Sequence, residues 1–183
     1  MQCHFVIASG PSLTRADCDA IRGLGPTIAV SNAVMFAPWA DIHYACDSKW
    51  WTVYGPRFRW FKGKRLSMSY TDHGVQRWRP TGWGRSGGNG GHHMVQYWAE
   101  HGARLIGLLG FDHQLTDGKT HFFGDHPHNA KVKLGNAQNH RHWLKAMNET
   151  AKDLKRMNID VVNLSRQTGL KCFRRMTVEE FLR

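Results

Sequence analysis

A chain of 183 residues, 41% hydrophobic and 21% charged, has the size of one globular domain and can bury a core without disulfide or metal staples. Its 25 Lys+Arg against 14 Asp+Glu leave a net charge of +11, which suits an anionic partner such as a nucleotide, a nucleic acid or an acidic glycan. No apolar run reaches the roughly 20 residues of a membrane span. Met1-Gln2-Cys3-His4 lacks the pattern of a secretory signal, and Cys3, Cys18, Cys46 and Cys172 form no CxxC pair, so the expectation is a cytoplasmic protein with reduced thiols.

In chain order, residues 3–8 read as a buried strand that ends in the turn Gly10-Pro11-Ser12. Ser12 or Thr14 caps a short helix over 15–22, which Gly23 and Gly25-Pro26 close. Thr27-Ile28-Ala29-Val30 is a second strand, followed by Ser31-Asn32, and residues 40–47 are a third that ends in Asp47. Residues 48–91 read as a long basic insertion, mostly loop apart from a strand near 64–69. In it Trp50, Trp51, Trp60, Trp78 and Trp83 alternate with arginines and lysines. A glycine-rich run then opens a helix from about 90 to 102. Residues 105–112 are an apolar strand, 113–138 a histidine-rich loop, and 139–157 a long helix with Trp143, Met147, Ala151 and Leu154 at three-to-four spacing. A last strand at 159–164 and a capping-box helix at 177–182 complete the chain. This alternation predicts a single α/β domain over 1–183, with a mostly parallel sheet and helices on both faces.

In an open parallel sheet, ligands bind beyond the carboxyl ends of the strands. That places a nucleotide-type site near Ser9, Gly10, Ser12 and Asp112. The Gly10-Pro11-Ser12 turn can offer backbone N–H groups and a hydroxyl to a phosphate or ribose, although neither GxxxxGK[ST] nor GxGxxG is present at it. Arg85-Ser86-Gly87-Gly88-Asn89-Gly90-Gly91 lets a backbone approach a ligand closely and puts a helix amino end beside it. His92, His93, His113, His121, His126, His128, His140 and His142 crowd the second half. A metal reading, with Asp125 as a carboxylate ligand, lacks HExxH and cysteine partners, so no metal site is assigned; one histidine acting as general base fits better. Arg57, Arg59, Lys62, Lys64 and Arg65, set among tryptophans, form a candidate nucleic-acid or anion patch.

Val6-Ile7-Ala8-Ser9-Gly10-Pro11-Ser12-Leu13, Val30-Ser31-Asn32, Arg85-Ser86-Gly87 and Leu108-Leu109-Gly110-Phe111-Asp112, in this order, resemble the bacterial sialyltransferases of the Campylobacter type. They also resemble the related motility-accessory-factor and hydroxymethylpterin diphosphokinase-like proteins, and short phage proteins open in the same way. The resemblance runs over roughly residues 4 to 170. It implies a Rossmann-like nucleotide-sugar site in which Asn32, Ser86, Gly87 and Asp112 hold the nucleotide, with Ser9 where the family has Asn. His140 or His142 falls near the family's general base. Where the family sets two tyrosines on the departing phosphate, this chain has Gln114 and Thr120-His121, leaving His121 or Arg85 for that role. The expectation is a glycosyltransferase-like transferase, phage-encoded, with a nucleotide-activated donor, no bound cofactor, and an anionic acceptor such as DNA or a glycan. The alternatives are a catalytically inactive nucleic-acid-binding or virion-associated protein, and a diphosphokinase-like enzyme that would use Mg²⁺ through Asp47 and Asp112.

Overall fold

A computed structural model describes residues 2–70, 72–81, 89–124, 126 and 137–183, the side chains of 137 and 138 excepted. Apolar runs form strands β1 (Cys3–Ile7), β2 (Thr27–Val30), β3 (Ile42–Tyr44), β4 (Lys64–Ser67), β5 (Val75–Arg77), β6 (Leu105–Leu109), β7 (Asp160–Asn163) and β8 (Arg174–Arg175). They make one sheet in the order β5-β4-β3-β2-β1-β6-β7-β8. Every neighbouring pair is parallel, with Phe5 beside Thr27 on one side and Gly107 on the other. The helices are α1 (Arg15–Ala20), α2 (Ser48–Tyr54), α3 (Gly90–Glu100), α4 (Ala137–Arg156) and α5 (Val178–Phe181).

The strand order makes this a doubly wound, Rossmann-like α/β domain. The chain steps outward from β1 to β5, then returns to lay β6 against the other side of β1 and steps outward again. The direction of winding reverses between β1 and β6. Side-chain alternation along each strand separates two cores. Phe5 and Ile7 of β1 pack with Cys18, Trp50, Trp51 and Tyr54 on the face of α1 and α2. Val6 packs with Met94, Val95, Trp98, Met147 and Leu154 on the face of α3 and α4. Two predicted caps are formed: Thr14 accepts from the Asp17 amide, and Thr177 and Glu180 make a reciprocal capping box. No helix among the described residues is long and apolar enough to cross a membrane. The four cysteines are free thiols, with Cys3 and Cys18 buried.

The reading of 48–91 as mostly loop is corrected: besides the expected strand, here β4, this stretch holds helix α2, a 3-10 turn (Gly55–Phe58) and a further parallel strand, β5. The sequence Trp50-Trp51-Thr52-Val53-Tyr54 is rich in aromatic and β-branched residues, which are weak helix formers. Tertiary burial decides instead. Trp50, Trp51 and Tyr54 are all within 4% of full burial, and the two indoles donate to Asn32 Oδ1 (3.0 Å) and the Ala45 carbonyl (2.9 Å). Two of the tryptophans set among cations, Trp50 and Trp51, are therefore core residues.

Candidate functional site

The carboxyl ends of β1, β2, β3 and β6 and the amino end of α3 enclose a cleft of about 200 Å³ at the point where the winding reverses. Its lining includes Ser9, Gly10 and Pro11 after β1, Ser31 after β2, Cys46 and Asp47 after β3, Asn89 to Gly91 at α3, and Phe111 to Gln114 after β6. His121, Phe123, His126, His140 and Trp143 close the remaining side. No lysine or arginine lines it among the described residues. The groups at it that could face an anion are backbone N–H groups, the amino end of α3 and imidazoles.

The turn after β1 is built around Asp112. The Ser12 amide and hydroxyl donate to its two carboxylate oxygens, each at 2.8 Å, and Thr116 reaches it at 3.5 Å. Burial pushes the Asp112 carboxyl up from its ordinary range, opposed by these hydrogen bonds. Asp112 is 1% exposed. It anchors the Gly10-Pro11-Ser12 turn at the cleft wall. Gly10 is required here, since a Cβ would lie 2.2 Å from Asp112 Oδ1 and 2.4 Å from the Gly110 carbonyl. Ser9 lies at the cleft wall, its hydroxyl 3.3 Å from the Val30 carbonyl.

A buried polar network behind β6 holds this strand end and was not foreseen. The Phe111 amide donates to Ser165 Oγ (2.8 Å), Thr168 Oγ1 donates to the Phe111 carbonyl (2.7 Å), and the Gly169 amide donates to the Asp112 carbonyl (2.7 Å). Asn163 links the two hydroxyl residues through Thr168 Oγ1 (3.1 Å) and the Ser165 amide (3.0 Å). A run such as Asn163-Leu164-Ser165-Arg166-Gln167-Thr168-Gly169 at a strand end, dense in small polar groups, was the available signal.

At α3, Asn89 caps the helix by accepting from the amides of Gly91 (2.8 Å) and His92 (3.4 Å). Gly91 lets this end close onto the sheet, because a Cβ would lie 2.9 Å from the Phe111 ring. Beneath the cleft, Tyr44 Oη pairs with His93 Nδ1 at 2.8 Å, and Cys46 Sγ lies 3.7 Å from the same nitrogen. Burial pushes the Cys46 thiol up to about 11 and His93 down to about 4, so this group is neutral at pH 7 and supplies no thiolate nucleophile. Ser31 (φ 52°) and His113 (φ 49°) flank the cleft in the left-handed region that side chains other than glycine seldom occupy.

The two candidate bases separate on the first turns of α4. His140 lines the cleft, whereas His142 is exposed and does not. The His140 Nδ1 is buried without a hydrogen-bond partner among the described residues, and its ring lies 5.2 Å from Trp143. The His113 ring lies 6.5 Å from the same indole; burial and the nearby His140 push it down to about 4. His121 stacks on Phe123 (4.9 Å, 4° between planes), and His126 pairs with Tyr54 Oη at 2.7 Å.

The remaining predicted positions fall elsewhere. Asn32 is 4% exposed, holds Trp50 and does not line the cleft, so it is a packing residue of the first core. Arg85, Ser86 and Gly87, like Asp125 and His128, lie outside the described residues. Among the described residues no group of three His, Cys, Asp or Glu side chains is arranged to hold a metal ion. Of the basic patch, Arg57, Arg59, Lys62 and Lys64 are exposed, but Arg65 is half-buried and turned inward.

Sheet and cleft together define a doubly wound α/β protein with a histidine-lined cleft at its switch point. Comparison with known proteins adds nothing to that class: no family model, no curated protein and no solved structure matches the chain.

Proposed function

We propose that the cleft binds a nucleotide-activated donor and that the protein is a glycosyltransferase-like transferase with His140 as its general base. The observation that carries this reading is His140 itself: an imidazole lining the cleft, with a buried Nδ1 unpaired among the described residues, opposite walls made by a helix amino end and a strand-to-helix turn. Neutral imidazole in that position can take the proton of an acceptor hydroxyl as the hydroxyl attacks the donor's anomeric carbon. The bond from that carbon to the nucleotide phosphate breaks, and the phosphate keeps the electron pair. Negative charge then develops beside the α3 amino end and His121, both of which can donate to it. Phe123 and Trp143 offer aromatic surface for a base or sugar face.

The test is nucleotide release from CMP-, UDP- and GDP-sugars. One donor is expected to be turned over. His140→Gln is expected to cut release about 100-fold or more while keeping the stabilisation given by the free nucleotide. His142→Gln should stay within about twofold of wild type, since its ring is outside the cleft. No release from any donor, or an unaffected His140→Gln variant, would remove the base assignment.

A further inference from the structure

Between residues 48 and 71 the chain has six cationic side chains, Lys49, Arg57, Arg59, Lys62, Lys64 and Arg65, and no Asp or Glu. The fold gathers them unevenly. Lys64 opens β4, and its amide bonds to the Asp41 carbonyl ahead of β3, so the turn over residues 59–64 lies at the amino-terminal edge of the sheet. The cleft opens at the carboxyl edge. Arg57 takes the other direction, with its guanidinium 5.7 Å from the Tyr54 ring, whose hydroxyl reaches His126 at the cleft wall.

Trp60 sits in the middle of this stretch and is 45% exposed. It is not a loose side chain. Its ring stands edge-on between Phe58 (6.0 Å, 78°) and Phe61 (6.3 Å, 67°). The backbone under it is clamped by Arg65, whose guanidinium donates to the carbonyls of Arg59 (2.9 Å), Phe61 (2.8 Å) and His73 (3.4 Å). Arg65 is thus a positioning residue that holds the turn open to solvent. Beside it is a slot of about 120 Å³ lined by Trp51, Tyr70, Arg59 and His73.

From this arrangement we infer that the face of the 59–64 turn binds single-stranded nucleic acid, with one base stacked on Trp60 and the backbone phosphates on Arg59, Lys62 and Lys64. A solvent-facing indole held rigid among cations is of no use to a duplex whose bases are already stacked, whereas an unpaired base gains a π-face from it. A protein partner with an acidic surface would be held by the cations alone and would not depend on the indole. This inference does not rest on the transferase reading.

The experiment is fluorescence anisotropy of a fluorescein-labelled dT20 oligonucleotide from 50 to 300 mM NaCl, with heparin as a charge-only comparison. Three phosphate contacts predict a slope of log K on log salt of about −2.1, and Lys62→Gln with Lys64→Gln should bring it to about −0.7. Trp60→Ala should weaken dT20 binding by about 5- to 150-fold while leaving heparin binding unchanged. Trp60 is exposed, so the variant is expected to fold, which far-ultraviolet circular dichroism checks. Absence of dT20 binding at 50 mM salt would overturn the inference. So would an unaffected Trp60→Ala variant, equal losses for dT20 and heparin, or a loss confined to the cleft-filling variant Gln114→Trp.

Discussion

Lowering the pH from 7.5 to 5 should destabilise this protein through histidines that cannot take up a proton where they sit. His43, His92 and His93 are at most 2% exposed. Burial pushes them down from 6.5 to about 4, about 3 and about 4 respectively, with the neighbouring His93 adding to the effect at His92. The sign follows from linkage. Below 6.5 the unfolded chain binds a proton at each position and the folded chain does not, so stability is fully present above 6.5 and is lost as the pH falls towards 4. At pH 5 each histidine contributes a loss of about 2 kcal/mol, or about 6 kcal/mol for the three, and His113, also pushed down to about 4 by burial, adds a similar loss. Against a typical total of roughly 5–15 kcal/mol, that is enough to unfold a domain of ordinary stability. Asp112 works in the opposite direction, since its carboxyl is pushed up and favours the folded state as the pH falls, and it offsets a fraction of the loss. The assay is urea unfolding followed by tryptophan fluorescence at half-unit steps from pH 7.5 to 4.5. The expected slope near pH 5 is about 5 kcal/mol per pH unit, close to four protons from His43, His92, His93 and His113. His92→Gln, which can keep the bond to Thr150 now made by Nε2 at 2.6 Å, should remove about a quarter of it. A slope below about 1.4 kcal/mol per pH unit, one proton's worth, would refute the reasoning.

Four further outcomes follow from the geometry. Gly10→Ala should cost about 1–3 kcal/mol in urea unfolding, because its Cβ would press on Asp112 Oδ1 and the Gly110 carbonyl. Asp112→Asn should cost about 1.5–3 kcal/mol by replacing an acceptor of two Ser12 donors with a group that also donates; an effect under 0.5 kcal/mol would show that the turn does not need it. Asn32→Ala should cost about 1–3 kcal/mol by stranding the Trp50 indole N–H, yet leave any nucleotide affinity unchanged, whereas a selective loss of affinity would return Asn32 to the ligand. Arg166→Ala, which breaks the two-pronged pair with the nearly buried Asp17 (2.7 and 2.8 Å), should lower the thermal midpoint, and Asp17→Asn should recover part of the loss, since no buried charge is then left alone.

The order of apolar strands and the positions of the two glycine turns were enough to read a parallel sheet and to place a site at its carboxyl edge, because burial on both faces leaves continuous apolar runs. β2 has the residues expected of it, and the strand of 105–112 is shortened only where Gly110 turns the chain at φ 67°. What sequence could not show was direction. Asn32 and Asp112 are both polar residues at strand ends, and both turn inward, one to an indole and the other to a serine 100 positions earlier. His140 and His142 are two apart, and only the helical rotation of α4 puts one in the cleft and the other in solvent. β5 and β8, three and two residues long, carry no pattern of their own and exist because a neighbouring edge was there to pair with.

The central proposal is that the cleft binds a nucleotide, and a thermal-shift panel of CMP, CDP, UDP, GDP and ATP, each with and without Mg²⁺, tests it most directly. A nucleotide at about a hundred times its Kd adds roughly 2.7 kcal/mol, on the order of 5 °C for a domain of this size. The account predicts a selective, metal-independent shift with one pyrimidine or purine nucleotide, lost in Gln114→Trp and kept in Trp60→Ala. A shift with ATP only in the presence of Mg²⁺ would replace glycosyl transfer by diphosphate transfer, and no shift with any nucleotide would contradict the cleft assignment itself.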